Sequence, residues 1–232
     1  MNSINKTARL AGLLYLLTIP FSVFGIIYVP SVLVVPGDAA TTAHNIMASE
    51  GLFRAGIVSF LISQAMYIVL PLLLYKLLKS VSNTHGVLMV LFIVLAIPIA
   101  FINELNRFAA LLVLSGANYL TVVPAEQLQA QAMLFLDLHK DGIMIAQVFW
   151  GLWLFPMGYL VFKSGFLPRI LGVLLMIGSL GYVIDSVMFF LFPQLNVKVG
   201  QFTFVGELLF PLWLLIKGVN VEKWKERTLE SA

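Results

Sequence analysis

Three carboxylic acids, Glu104, Asp185 and Glu207, stand inside long apolar stretches of this chain. An acid surrounded by hydrocarbon is costly unless it is paired, protonated or turned toward water, so each marks a candidate site. Arg54, Arg107 and His139 fall at a similar level of the same stretches. Together the six residues predict a polar pocket open to the outer side of a membrane. Carboxylates in such a pocket would bind a cation or the charged end of a small amphiphile. A histidine among carboxylates offers a different chemistry, a divalent metal that activates water. A third reading is structural, with polar side chains that hydrogen-bond one helix to the next.

The spacing weighs these readings differently for each acid. Glu104 and Arg107 are three residues apart and share a helix surface with Asn103 and Asn106, so an ion pair along the helix is as natural as a binding role. Asp185 follows Gly178, Gly181 and Tyr182 on one helical face, and glycines there let a second helix approach closely. Glu207 is followed four residues later by Pro211, whose missing N–H leaves the Glu207 carbonyl without its helical donor. Such local opening of a buried helix recurs at ion and substrate sites, which makes Glu207 the leading binding candidate. His139 lies between Asp137 and Asp141, but the chain has only three histidines. It has no HExxH, no GxSxG and no phosphate-binding glycine loop. No catalytic residue, metal site or cofactor is assigned.

The elements that carry these residues follow from composition. Of 232 residues, 60% are hydrophobic and 11% charged, with a mean hydropathy of +0.98. Soluble domains carry about 25% charged residues, so the chain reads as an all-α polytopic membrane bundle, a single integral domain over residues 1–232. Cysteine is absent, which excludes disulfides and thiol chemistry. Six stretches reach the roughly 20 apolar residues needed to cross a bilayer. They lie near 8–30, 53–78, 86–115, 141–163, 167–191 and 200–221. The first is too long for a signal-peptide core and is read as an uncleaved span. Pro168 and Arg169 reopen the chain directly after Ser164, Gly165 and Phe166, predicting a tight hairpin of spans four and five.

Ten of the fourteen Lys and Arg residues fall on one side when both termini are cytoplasmic, which sets the orientation by the positive-inside rule. Their place at span ends also accounts for the pI near 9.2 without nucleic acid as a partner. In the first outer connector, Asp38 is placed to cap a short amphipathic helix running to Glu50, with Gly51 behind it as a stop. Ala39, Ala43, Ile46 and Met47 would share its apolar face, laid along the membrane surface. In the second connector the helical pattern runs unbroken from Pro124 into span four, which therefore projects beyond the bilayer.

Several blocks resemble a known family. LHKDGIMIAQVFWGLWLFPMGYLVFKSGFLPRILGVLLMIGSLGYVID (Leu138 to Asp185), NRFAALLVLSG (Asn106 to Gly116), GELLFPLWLLIKG (Gly206 to Gly218) and NIMASEGLFRAG (Asn45 to Gly56) are similar in order to the bacterial membrane family called domain of unknown function 4386. The resemblance implies a bacterial multipass inner-membrane protein embedded in the lipid bilayer. It implies no activity and transfers no residue roles.

Overall fold

The computed structural model describes residues 3–195 and 198–230, and every regular element among them is helical. Helix α1 (Ser3–Val23) continues through a widened, π-helical turn (Phe24–Tyr28) into α2 (Val29–Leu33). Next come α3 (Ala39–Ala48), α4 (Glu50–Leu78), α5 (Asn83–Leu114), α6 (Ala125–Lys163) and α7 (Arg169–Leu191). The chain ends with α8 (Gly200–Thr203), α9 (Val205–Ile216) and α10 (Val221–Glu230).

Among the described residues, five helical runs are long and apolar enough to cross a membrane: Ser3–Leu33, Glu50–Leu78, Asn83–Leu114, Ala125–Lys163 and Arg169–Leu191. The faces of α5 show what solvent this surface suits. Ile102 and Leu105 are 66% and 63% exposed, whereas Glu104 and Arg107 on the other side of the same turns are each 1% exposed. A helix that hides its charges and displays its leucines is built for lipid. The protein is a multipass membrane protein.

The sixth span departs from the predicted 200–221. It is broken at Phe204 into α8 and α9, and it stops at Ile216. Gly218 then turns the chain with φ +69°, and α10 leaves at 103° to Gly200–Ile216. At about 1.5 Å per residue, 200–216 covers roughly 25 Å, less than the ~30 Å hydrocarbon core. The count is therefore five spans, or six with the bent pair taken as one. Glu222, Lys223, Lys225, Glu226 and Arg227 give α10 the character of a surface helix, and its Trp224 Nε1 donates to Leu77 O at 2.9 Å.

Two smaller boundaries also differ from expectation. Gly51 is no stop: α3 ends at Ser49, and Gly51 lies in the first turn of α4. Asp38 does cap α3, accepting from Thr41 N at 2.9 Å and Thr41 Oγ1 at 2.7 Å. The buried face of α3 is Thr42, Ala43 and Ile46, while Met47 is exposed.

The chain divides into two compact units. The first comprises Met1–Leu17, Ala65–Ile97 and Met144–Ala232, the second Thr18–Gln64 and Pro98–Ile143. The first unit has a core that includes Tyr15, Leu74, Met89, Trp153, Leu160 and Phe210. Its α6–α7 hairpin closes on glycines: a Cβ on Gly172 would stand 2.5 Å from both Gly158 O and Phe162 N, both main-chain atoms. Small residues at such crossings are the usual basis of close helix packing in membranes. The second unit packs Ile46 of α3 with Val29, Leu33, Phe53, Ile57 and Leu111.

Candidate functional site

In the second unit, α5 and α6 bring together three of the predicted residues. His139 Nε2 lies 2.8 Å from Glu104 Oε1, and Arg107 Nη1 lies 3.5 Å from Glu104 Oε2. All three are buried, His139 at 7% exposure. The helix-spacing rule accounts for Glu104 and Arg107 facing the same way; His139, 35 residues on, arrives through Asn103, whose Nδ2 donates to His139 O at 2.8 Å. Gly142, one turn along α6, leaves the space that the Asn103 side chain occupies.

Arg107 has further partners that follow from backbone chemistry. In the widened turn, Val29 N donates to Phe24 O instead of Gly25 O. Pro30, the next residue, has no N–H to give. The Gly25 carbonyl thus lacks both of its helical donors, and Arg107 Nη1 takes their place at 3.2 Å. Arg107 Nη2 reaches Phe53 O at 3.5 Å, and the guanidinium sits 4.8 Å over the Phe53 ring. Gly56 makes room for it, since a Cβ there would stand 2.9 Å from Nη2. The Glu104 carboxylate is therefore shared between a guanidinium and an imidazole, and the cluster is internally satisfied.

In the first unit, Glu207 has very different surroundings. It lies in the first turn of α9, directly after the break at Phe204. Tyr15 Oη donates to Glu207 Oε2 at 2.9 Å. Oε1 is buried and has no hydrogen-bond partner among the described residues. No ion pair among them involves Glu207. The Tyr182 hydroxyl, on α7, interacts with the same carboxyl. Tyr15, Tyr67 and Trp153 extend an aromatic wall from there, with ring centroids 5.7 Å apart for Tyr15–Trp153, 5.8 Å for Tyr67–Trp153 and 6.4 Å for Tyr15–Tyr67.

Glycine again sets the alignment. A Cβ on Gly12 would meet Pro211 O at 2.6 Å and Leu215 N at 2.7 Å, so the α1 and α9 backbones touch there. Tyr15 lies one turn after Gly12 and Glu207 one turn before Pro211. Close, antiparallel contact at the glycine brings the phenol onto the carboxyl. The antiparallel course is tied again at Asn5, whose Oδ1 accepts from Val219 N at 2.9 Å.

The remaining candidates are engaged elsewhere. Asp185 accepts from Val199 N at 2.5 Å and Gly200 N at 2.9 Å, which joins α7 to the start of α8 and satisfies its charge with amides. Arg54 is exposed on the first turns of α4 and pairs with Glu50 at 2.6 Å. No group of three or more His, Cys, Asp or Glu side chains suited to a metal ion occurs among the described residues. Reading the sequence missed Tyr15, Tyr67 and Trp153 as companions of Glu207. The available signal was hydroxyls and an indole within apolar spans, which seek polar partners when buried.

The profile of the family described as a domain of unknown function, DUF4386, matches residues 10–218. The chain belongs to the DUF4386 family. All six candidate residues lie within the matched span. A relative from Archaeoglobus fulgidus, described as an uncharacterized protein, is 46% identical over 74 residues, which are 32% of this chain and 44% of that protein. The chain thus spans less than half the length of that relative. No solved structure matches.

Proposed function

We propose that this DUF4386 protein binds a small cation at Glu207, as a transporter component or a sensor in the bacterial inner membrane. The reading takes the chain as one integral membrane domain with both termini cytoplasmic, in accord with the distribution of basic residues at the span ends. A single observation carries it: Glu207 is a buried acid with a carboxyl oxygen that no hydrogen bond or ion pair among the described residues satisfies. Glu104 has an arginine and a histidine, and Asp185 has two backbone amides. Glu207 has a buried oxygen without a hydrogen bond, at the start of α9, and its partner Tyr15 packs against Trp153. A buried carboxyl beside an aromatic cluster suits a cation, because ring faces carry negative potential. Broken helices near mid-membrane supply the same kind of site in transporters.

Two other readings have less support. A metal-dependent hydrolase needs ligands around His139, and its nearest carboxylate, Glu104, is already shared with Arg107. A scaffold or accessory subunit accounts well for Glu104 and Asp185 but leaves the Glu207 oxygen unexplained.

The test is a thermal-unfolding screen of detergent-solubilised protein against Na⁺, K⁺, Mg²⁺, ammonium and choline at constant ionic strength. One cation is expected to stabilise the wild type saturably, by about 2.7 kcal/mol at 100-fold over its dissociation constant. Glu207→Gln should remove that stabilisation while still folding. Equal stabilisation of wild type and mutant, or stabilisation of neither, refutes the proposal.

A further inference from the structure

A second binding feature lies on the second unit. An open groove of about 500 Å³ runs between α1 and α4, lined by Pro20, Phe21, Phe24, Ala55, Val58, Ser59 and Ile62. Its origin is local. Gly25 comes so close to α4 that a Cβ there would stand 2.7 Å from Gly56 O and 2.8 Å from Phe60 Cβ. Around that contact, Pro20 stands inside α1 and the chain widens into the π-helical turn at Phe24–Tyr28. The wall is apolar, and its one hydroxyl, Ser59 Oγ, is spent on Phe21 O at 2.9 Å. Val58, at 53% exposure, shows that the groove faces outward from the protein. In a membrane-spanning helix that direction is the lipid.

What the groove would hold is indicated by the residues at its end. Glu50, Arg54, Val58 and Ile62 follow at intervals of four, a single face of α4. Arg54 lies roughly 12 Å along the axis from Ile62, at the end of the helix where α4 begins. Helical side chains lean toward the N-terminus, so Arg54 extends away from the apolar wall and toward Glu50, its partner at 2.6 Å. An exposed plus–minus pair at the mouth of an apolar groove complements a headgroup that itself carries a minus and a plus.

We infer that the groove is a specific lipid site: one acyl chain lies along Val58 and Ile62, and a zwitterionic phosphate–ammonium headgroup meets Arg54 and Glu50. An anionic headgroup without the amine is disfavoured, because Glu50 would face it with like charge.

Native mass spectrometry of protein purified in mild detergent tests this with added phosphatidylethanolamine or phosphatidylglycerol of equal chain length. The wild type is expected to retain one phosphatidylethanolamine per chain, at least fivefold above phosphatidylglycerol. Val58→Trp, which fills the groove from an exposed position, should reduce retention at least fivefold. Arg54→Ala should abolish the headgroup preference, with thermal unfolding of the lipid-free protein unchanged in both variants. Equal retention of the two lipids by the wild type, or undiminished phosphatidylethanolamine on Val58→Trp, overturns the inference in favour of unselective annular lipid.

Discussion

Replacing Glu104 with glutamine should show how much of the fold depends on a balanced buried charge. Glutamine keeps the shape and one acceptor, so His139, 2.8 Å away, retains a hydrogen bond. The change falls on Arg107, which stays buried and loses its only anionic partner among the described residues. Breaking a buried pair by removing one member costs about 3–5 kcal/mol. Here the guanidinium keeps Gly25 O, Phe53 O and the Phe53 ring, which places the expected loss near the lower end, about 3 kcal/mol. That corresponds to about two powers of ten in the folded-to-unfolded ratio. Arg107→Met, which strands the Gly25 carbonyl and leaves Glu104 with the histidine alone, should cost a similar amount. In the double mutant Glu104→Gln/Arg107→Met no charge is stranded, and the loss should fall short of the sum by about 2 kcal/mol. Reversible unfolding in mixed micelles with added SDS, followed by tryptophan fluorescence, measures all three. A single-mutant loss below about 1 kcal/mol, or a cycle additive within about 0.5 kcal/mol, would show that the cluster is not a charge-balanced strut.

Gly172→Ala should cost about 1–3 kcal/mol in the same assay, because its Cβ meets main-chain atoms of α6 that cannot turn aside. Gly51→Ala, with nothing within 4 Å of its Cβ, should instead be neutral or stabilising, and equal losses at both positions would refute this account of the hairpin. Asp38 should titrate below its ordinary 3.8, because the Thr41 hydroxyl and amide hydrogen-bond its charged form. A carboxyl depressed in the folded state adds stability above its unfolded pKa and loses it as pH falls through the folded one. The start of α3 should therefore fray only in acid, below about pH 4. Carbon NMR of the Asp38 carboxyl checks this, and a value at or above 3.8 contradicts it.

Much of the architecture was legible because a bilayer imposes a length on every apolar run. The continuous α6, its hairpin with α7 and the cap at Asp38 all follow from apolar pattern and terminal chemistry, and the structure has them. The break in the last span was not legible. Proline chemistry pointed to Pro211, yet Pro211 lies within α9 and the helix is interrupted at Phe204. At the other end of α8, Asp185 captures the amides of Val199 and Gly200, a contact from another segment that no local pattern announces. Gly12, Gly56, Gly142 and Gly172 each mark a place where another chain segment or side chain comes within what a Cβ would occupy.

The site itself shows where local reading ends. Glu104 and Arg107 are neighbours by helix spacing, but His139 completes their cluster from 35 residues away. Glu207 meets Tyr15 across 192 residues, and no local pattern distinguishes Tyr15 from an aromatic facing lipid. Suspicion of Glu207 on account of Pro211 singled out the same residue for a different reason. The carbonyl next to the proline matters less than the fact that Gly12 packs against Pro211 and thereby sets Tyr15 on the carboxylate. That contact satisfies one oxygen of Glu207 and leaves the other buried and bare. Removing the carboxyl would cost a scaffold its tyrosine hydrogen bonds, whereas keeping it leaves a polar atom buried without a partner. On the cation-binding proposal, that bare oxygen is where the ion would sit.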